Sequence, residues 1–173
     1  MNADLLRAEA RKHNDILLVD FVDSYKNLTF KALAWQKWVT LNCNHIRYIL
    51  KVDDDVIINM ALLNEYLEEN LISKQPTEGI WCNLWKGFGP HRNKSSKWYI
   101  SWREYPFTDY APFCQGLMYI MSMDAVTKIY NASRVAHHIW LDDVYITGIL
   151  AKQAGVKHRA LKLNQIFRLT SSN

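Results

Sequence analysis

The sequence predicts an α/β fold with a mostly parallel central sheet flanked by helices, and three observations carry that prediction. Asp15 to Phe21 is a short, nearly continuous apolar run of the kind that fills a strand covered on both faces. Behind it Phe30, Leu33, Ala34, Trp38 and Leu41 recur at spacings of three and four, which marks one apolar helix face. Ile46 to Val52 then alternates with period two and ends abruptly in Asp53, Asp54 and Asp55. Strand, helix and strand in that order form a parallel α/β unit.

Within that unit Asn27 is placed to cap the helix, and Cys43 and Asn44 end it. Ile46, Tyr48, Leu50 and Val52 would form the buried face of the second strand, so the three carboxylates emerge where it ends. In open α/β sheets that edge is where ligands bind. Asp53 and Asp55, two apart on an extended segment, would point the same way. Asn59 caps a further helix in which Leu62, Leu63, Tyr66 and Leu67 share a face and Asn70 closes the run. Gly79 to Trp85 reads as a strand. Lys86 to Lys97 is basic and contains glycine, which predicts a mobile loop, solvated or closing as a lid over an anion.

Tyr105 to Pro112 is rich in turn residues, and Gly116 to Ser122 resumes as a strand. Ser122 or Asp124 opens a short helix carrying Val126, Ile129 and Tyr130. Leu141 to Val144 opens another, with Ile146, Ile149 and Leu150 on one side and Gly155 as its stop. Val156 to Leu163 is the last strand candidate, and there are no repeats.

The 173 residues, 49% of them apolar, suit one domain spanning 1–173. A net charge of +4 from dispersed positive residues gives no nucleic-acid footprint. Seven Trp, nine Tyr and six Phe offer more rings than core filling requires, and flat rings suit sugars. No apolar run is long enough to span a membrane, and the first 14 residues are polar rather than a signal sequence. Cys43, Cys82 and Cys114 lack zinc-site spacing and permit either one disulfide with a free thiol or three buried thiols. Asn27-Leu-Thr, Asn93-Lys-Ser and Asn131-Ala-Ser are N-glycosylation sequons, which matter only in a secretory compartment.

Three adjacent anions at a strand end suit a hard divalent cation, because Mg²⁺ and Mn²⁺ take oxygen ligands and pair with substrate phosphates. A solvated acidic turn is the alternative. Asp142 and Asp143 form a second acidic pair, which suits a helix N-terminus. A metal-binding triplet plus a separate carboxylate base is also the inventory for displacement at a phosphorylated carbon.

Several of these segments carry a resemblance. Asp20-Phe-Val-Asp-Ser-Tyr-Lys-Asn-Leu-Thr-Phe-Lys31, then Trp38, Cys43, Tyr48, Lys51-Val-Asp-Asp-Asp-Val56 and Asn59, resemble the β1,3-galactosyltransferase family, which includes β1,3-N-acetylglucosaminyltransferases. Tyr105-Pro106, Tyr110-Ala-Pro-Phe-Cys-Gln-Gly116 and Asp142-Asp-Val-Tyr145 continue the match in order. The resemblance implies a GT-A type nucleotide-diphospho-sugar transferase fold and inverting transfer of galactose or N-acetylglucosamine from a UDP-sugar to a glycan hydroxyl. It also implies Mn²⁺ as cofactor, glycoprotein or glycolipid acceptors, and a Golgi membrane setting with the catalytic domain in the lumen. By position, Asp55 and Asp53 would hold the metal, and Asp53, Asp54 and Lys51 the nucleotide. Asp143 would be the general base, with Asp142, which stands where the family often has Glu, as the other candidate, while Trp102, Tyr110, Gln115 and Gly116 would border the acceptor. Against the family pattern the chain is expected to lack a membrane anchor, a first strand-helix unit and a metal-binding histidine near its end.

Two other readings follow from the same residues. A truncated, catalytically inactive module of this fold would keep the architecture without turnover. A phosphoryl-transfer fold with an Asp pair after its first strand would need Thr or Val two places beyond Asp55, where Ile57 stands. An EF-hand is excluded by the missing Gly and terminal Glu.

Overall fold

The computed structural model describes residues 3–43, 45–73, 78–161 and 167–169. Its centre is a four-stranded sheet in which β1 (Tyr48–Val52), β4 (Phe113–Ser122), β3 (Ile80–Trp85) and β5 (His158–Ala160) lie side by side in that order. β4 is antiparallel to both β1 and β3, and β5 is parallel to β3. The expected mostly parallel sheet is therefore a mixed one. β1, β3 and β5 share one direction, and the ten-residue β4 is inserted between them the other way, so a single pairing is parallel. β2 (Val56–Ile58) pairs separately with β6 (Phe167–Leu169) in an antiparallel ribbon that the sequence pattern did not reveal.

Alternation along the strands supplies two cores. Ile80, Cys82, Tyr119 and Met121 face one cluster with Ala125, Val126, Ile129, Tyr145 and Ile146. Trp81, Met118 and Ile120 face the other, with Leu63, Leu71 and Leu161. Helices thus cover both faces of the sheet, α3 (Met60–Leu67) on the second and α4 (Met123–Ala132) on the first. Tyr48 and Leu50 pack on the second cluster as expected, whereas Val52 is open to solvent.

Cap chemistry matches the sequence where a side-chain oxygen is free to accept. Asn59 accepts from the Leu62 amide and starts α3, and Ser122 accepts from the Ala125 amide and starts α4. The run does not stop at Asn70, because α3 loosens into a π-helical turn, Glu68–Ile72. Asn27 precedes α2 (Leu28–Asn42) without a side-chain cap bond; its side chain turns back instead, Nδ2 donating to the Val22 carbonyl at 2.7 Å.

Two elements depart from expectation. The 15–21 segment is irregular and open to solvent at Leu17, Leu18 and Val19, since no described strand pairs with it and an apolar run alone cannot satisfy its backbone. It follows α1 (Ala3–His13), a largely exposed helix. In α2 the buried face is Thr29, Ala32 and Gln36, while Phe30, Trp38 and Leu41 lie outside. Thr29 explains the rotation, because its hydroxyl donates to the Ile139 carbonyl at 3.0 Å and draws that face inward.

The segment 86–112 has no regular secondary structure apart from a bridge of His91 to Tyr99, yet it is fastened rather than loose. The Arg92 guanidinium donates to the carbonyls of Ile100, Tyr105 and Phe107 at 2.7–2.8 Å and stacks on Trp102 at 3.9 Å. Nearby, Cys82 and Cys114 form a disulfide between β3 and β4, leaving Cys43 as the free thiol. The bridge spans 32 residues of chain, so a Cys82→Ala/Cys114→Ala variant should lose roughly 3–4 kcal/mol of stability, read as a lower denaturant midpoint than wild type without reductant.

A π-helix, Val144–Leu150, runs on into α5 (Ala151–Gln153), and Gly155 ends it with φ at +69°, as its position predicts. Of the last strand candidate, 158–160 is β5, and 162–163 lie outside the described residues.

Candidate functional site

β1 delivers the acidic triplet where the sheet ends. The Asp53 amide still donates to the Leu117 carbonyl of β4 at 3.0 Å, and the Val56 amide closes a turn on the Asp53 carbonyl at 3.2 Å. Asp54 and Asp55 therefore sit at the exposed corner of a tight turn between β1 and β2. The alternation expected for Asp53 and Asp55 does not apply there, since the backbone is no longer extended.

Lys51 reaches forward along its own strand and ion-pairs with Asp53. Its ammonium also donates to the Gly116 carbonyl on β4. In register Lys51 lies opposite Tyr119, whose ring centre is 5.7 Å from the ammonium. The resemblance groups Lys51 with Asp53 and Asp54 at the nucleotide, and the reach across to β4 depends on strand pairing.

Asp142 and Asp143 approach the same edge from the other direction. They open the helical run that the π-helix continues, and Asp143 Oδ1 accepts from the Val144 amide at 2.7 Å. A methyl group placed on Gly116 would sit 3.5 Å from Asp143 Oδ2, an ordinary contact distance, so the backbone of β4 at Gly116 passes close beside that carboxyl. Gly116 is thus shared: its carbonyl holds Lys51, and its Cα faces Asp143. The triplet and the pair meet across one glycine.

Electrostatics follow from that meeting. Burial pushes the Asp143 carboxyl up to about 6, with the charge of Asp142 adding to it and the Val144 amide and Lys51 opposing it. Burial also raises Asp142, against the pull of Lys51 and of the first helical amides. Tyr119, buried between them, has its hydroxyl pushed up by burial and then by Asp142, Asp143 and Asp53. Lys51 is the cation facing three carboxylates.

Thr147 fixes the helix that carries Asp143. Its hydroxyl donates to the Asp143 carbonyl at 2.5 Å and accepts from the Cys114 amide at 2.9 Å, while its own carbonyl accepts from His158 Nε2 at 2.6 Å. Helix, β4 and β5 are tied at one residue. Tyr119, Thr147 and His158 were not among the residues assigned roles from sequence, because their parts depend on contacts across the sheet.

The other expected site residues divide. Gln115 neighbours Gly116 and accepts from Asn83 Nδ2 at 2.8 Å. Tyr110 is buried, and its hydroxyl has no hydrogen bond among the described residues; burial raises it, and Asp143 contributes in the same direction. A cavity of about 890 Å³ opens beside it, bounded by Tyr105, Phe107, Ile139, Ile149 and Lys152, with none of the five carboxylates in its wall. Trp102 stands apart, exposed and stacked by Arg92 in the long loop.

Among the described residues no three His, Cys, Asp or Glu side chains converge on a metal position. Mg²⁺ and Mn²⁺ are commonly held by one or two carboxylates with the remaining positions filled by water and substrate phosphate, so Asp53 and Asp55 could supply part of such a shell. Also among the described residues, no helix is long and apolar enough to cross a membrane.

Comparison with known proteins identifies the family. The profile of the family described as Galactosyltransferase matches residues 2–162. The chain is 38% identical to human beta-1,3-galactosyltransferase 2, the match covering 88% of this chain and 36% of that protein. It is 37% identical to mouse beta-1,3-galactosyltransferase 5, over 86% of this chain and 47% of the relative. Human lactosylceramide 1,3-N-acetyl-beta-D-glucosaminyltransferase is 35% identical, over 86% of this chain and 39% of its own length. The chain spans between about a third and a half of these relatives. With the family profile covering nearly its whole length and relatives 35–38% identical over most of it, the chain belongs to the Galactosyltransferase family.

Proposed function

We propose that this chain is the catalytic part of a β1,3-hexosyltransferase of GT-A type, moving galactose or N-acetylglucosamine from a UDP-sugar to a glycan hydroxyl with inversion. The observation that carries the proposal is the half-buried Asp143, held near neutrality in its titration and joined through Gly116 and Lys51 to the Asp53–Asp55 turn. A carboxyl with that titration is a stronger base than an exposed aspartate, yet is ionised at neutral pH.

In the proposed reaction Asp143 Oδ2 takes the proton of the acceptor hydroxyl. The acceptor oxygen forms its bond to the anomeric carbon from the face opposite UDP, and the bond to the diphosphate oxygen breaks with its electron pair leaving on UDP. Oδ1 stays bound to the Val144 amide, which orients the base. Asp53 and Asp55 would hold Mn²⁺, which when bound supplies positive charge to the departing diphosphate. Lys51 keeps Asp53 in place and, with Asp54, borders the nucleotide. Gln115, Gly116, Tyr110 and Trp102 would border the acceptor.

The proposed setting is the Golgi lumen, on a membrane anchor of the kind the family resemblance implies. The Cys82–Cys114 disulfide and three sequons support an oxidising, glycosylating compartment. Acceptors would be glycans on glycoproteins or glycolipids, the latter being what the name of the lactosylceramide-specific relative describes.

The test is a transfer assay with UDP-galactose and UDP-N-acetylglucosamine over a panel of β-linked oligosaccharides, with the product's anomeric configuration and linkage read by NMR. A β1,3 product is expected. A product of retained configuration would overturn the inverting mechanism, and tight UDP binding with no product would assign an inactive module instead.

A further inference from the structure

The fold treats the three sequons differently. At Asn27-Leu28-Thr29 the Thr29 hydroxyl is fully buried and committed to the Ile139 carbonyl, and Asn27 Nδ2 is committed to the Val22 carbonyl. At Asn131-Ala132-Ser133 the asparagine lies in the last turn of α4, and the Ser133 hydroxyl turns back to the Tyr130 carbonyl at 2.6 Å. Neither hydroxyl faces its own asparagine.

Asn93-Lys94-Ser95 is arranged otherwise. All three residues are exposed on irregular backbone. Asn93 Oδ1 accepts from the Ser95 amide at 3.0 Å and from the Ser95 hydroxyl at 2.9 Å, and the Ser96 amide closes the turn on the Asn93 carbonyl at 3.0 Å. This is an Asx turn, in which a short polar side chain folds onto the backbone two residues on, and it needs no tertiary partner to form. Two donors on the amide oxygen draw electron density from the amide nitrogen and make its proton easier to lose. Among the described residues Nδ2 itself makes no hydrogen bond, so the reacting atom is not held back as it is at Asn27.

The neighbouring residue, and not Asn93, carries the anchorage of the loop. Arg92 points inward and pins the loop through three carbonyls, so Asn93, the next residue outward, can carry a large substituent without disturbing that anchorage. We infer that Asn93 carries an N-linked oligosaccharide, with Ser95 supplying the hydroxyl half of the sequon. The bond formed joins Nδ2 to the anomeric carbon of a lipid-pyrophosphate-linked oligosaccharide; the bond to the pyrophosphate oxygen breaks, the lipid pyrophosphate leaves with the electron pair, and Nδ2 gives up one proton. The inference rests on the lumenal setting proposed above.

The test expresses the full chain behind a cleavable secretion signal in a eukaryotic cell and isolates it from the secretory compartment, whether secreted or retained. Enzymatic deglycosylation in ¹⁸O-water converts each occupied asparagine to labelled aspartate, and peptide mass spectrometry reads occupancy at positions 27, 93 and 131. Asn93 is expected to be occupied in most molecules and ahead of Asn27 and Asn131. Asn93→Gln and Ser95→Ala should each remove one oligosaccharide from the electrophoretic shift while leaving UDP binding unchanged. An unmodified Asn93 in chain whose Cys82–Cys114 disulfide has formed would overturn the inference. Forced entry separates this outcome from the fate of the proposed function: occupancy at Asn93 without UDP binding defeats the transferase reading alone, and UDP binding without occupancy defeats this one alone.

Discussion

Replacing Asp143 by Asn is expected to lower transfer by about 10²–10⁴-fold, the range a positioned general base contributes, and at the same time to raise the melting temperature. Both effects have one source. The folded carboxyl titrates near 6 and the unfolded one near 3.8, so between those values the folded chain holds a proton that the unfolded chain releases. Stability from this group is intact below about pH 4 and is lost as pH rises through 6. At pH 7.5 the buried charge costs at most about 3 kcal/mol, which Asn removes while still accepting from the Val144 amide. Thermal melts of wild type and Asp143→Asn should therefore differ by several degrees at pH 7.5 and converge near pH 4. Wild-type kcat/KM should climb about tenfold per pH unit up to about 6 and level off above it. A variant as unstable as wild type at pH 7.5, or a flat rate profile through pH 5–7, would remove Asp143 from the role of base.

Lys51→Met is expected to damage both halves of the site from a single position. Its ammonium pairs with Asp53, donates to the Gly116 carbonyl and lowers both Asp142 and Asp143. Without it, the carboxylates keep only their amide hydrogen bonds against one another's charge, and the acid limb of kcat/KM should move to a pH above that of wild type. Activity at pH 6.5 should then fall by about tenfold or more and recover in part at pH 8. UDP affinity should fall as well, because Asp53 loses the contact that orients it. Lys51→Arg keeps the charge but not the shape of the contact with Gly116, so it should restore the limb while leaving UDP binding weakened. Loss of UDP affinity with an unmoved limb would show that Lys51 acts on the donor alone.

How far the site was readable in the sequence depends on how local each feature is. The acidic turn after β1, the Asn59 and Ser122 caps and the Gly155 stop rest on neighbouring residues, and the structure places each where its chemistry predicts. The burial of Asp143 against Gly116 was invisible, since 27 positions separate them and only the packing of the π-helix on β4 brings them together. Lys51 was readable as a neighbour of Asp53 in the Lys51–Val56 motif, but its bond to Gly116 follows from the antiparallel register of β1 and β4.

The larger departures have the same cause. Strand direction is not encoded in apolar alternation, which is why the insertion of β4 made a mixed sheet from a pattern that suggested a parallel one. The apolar run at 15–21 reads as a strand, yet a strand exists only where another pairs with it. In α2, periodicity favoured Phe30, Trp38 and Leu41, but the buried hydroxyl of Thr29 turned the opposite residues inward. The Lys86–Lys97 composition argued for a mobile loop, and Arg92 alone supplies three bonds that hold it down.

The account turns on one claim, that the Asp53–Asp55 turn is a metal-completed nucleotide site lying against Asp143. Calorimetric titration of UDP into the folded chain, with and without Mn²⁺ and repeated on Asp55→Ala, tests it most directly. The account predicts UDP binding that requires Mn²⁺ and disappears in Asp55→Ala, with the variant's melting temperature unchanged. UDP binding indifferent to Mn²⁺, or fully kept in Asp55→Ala, would contradict it.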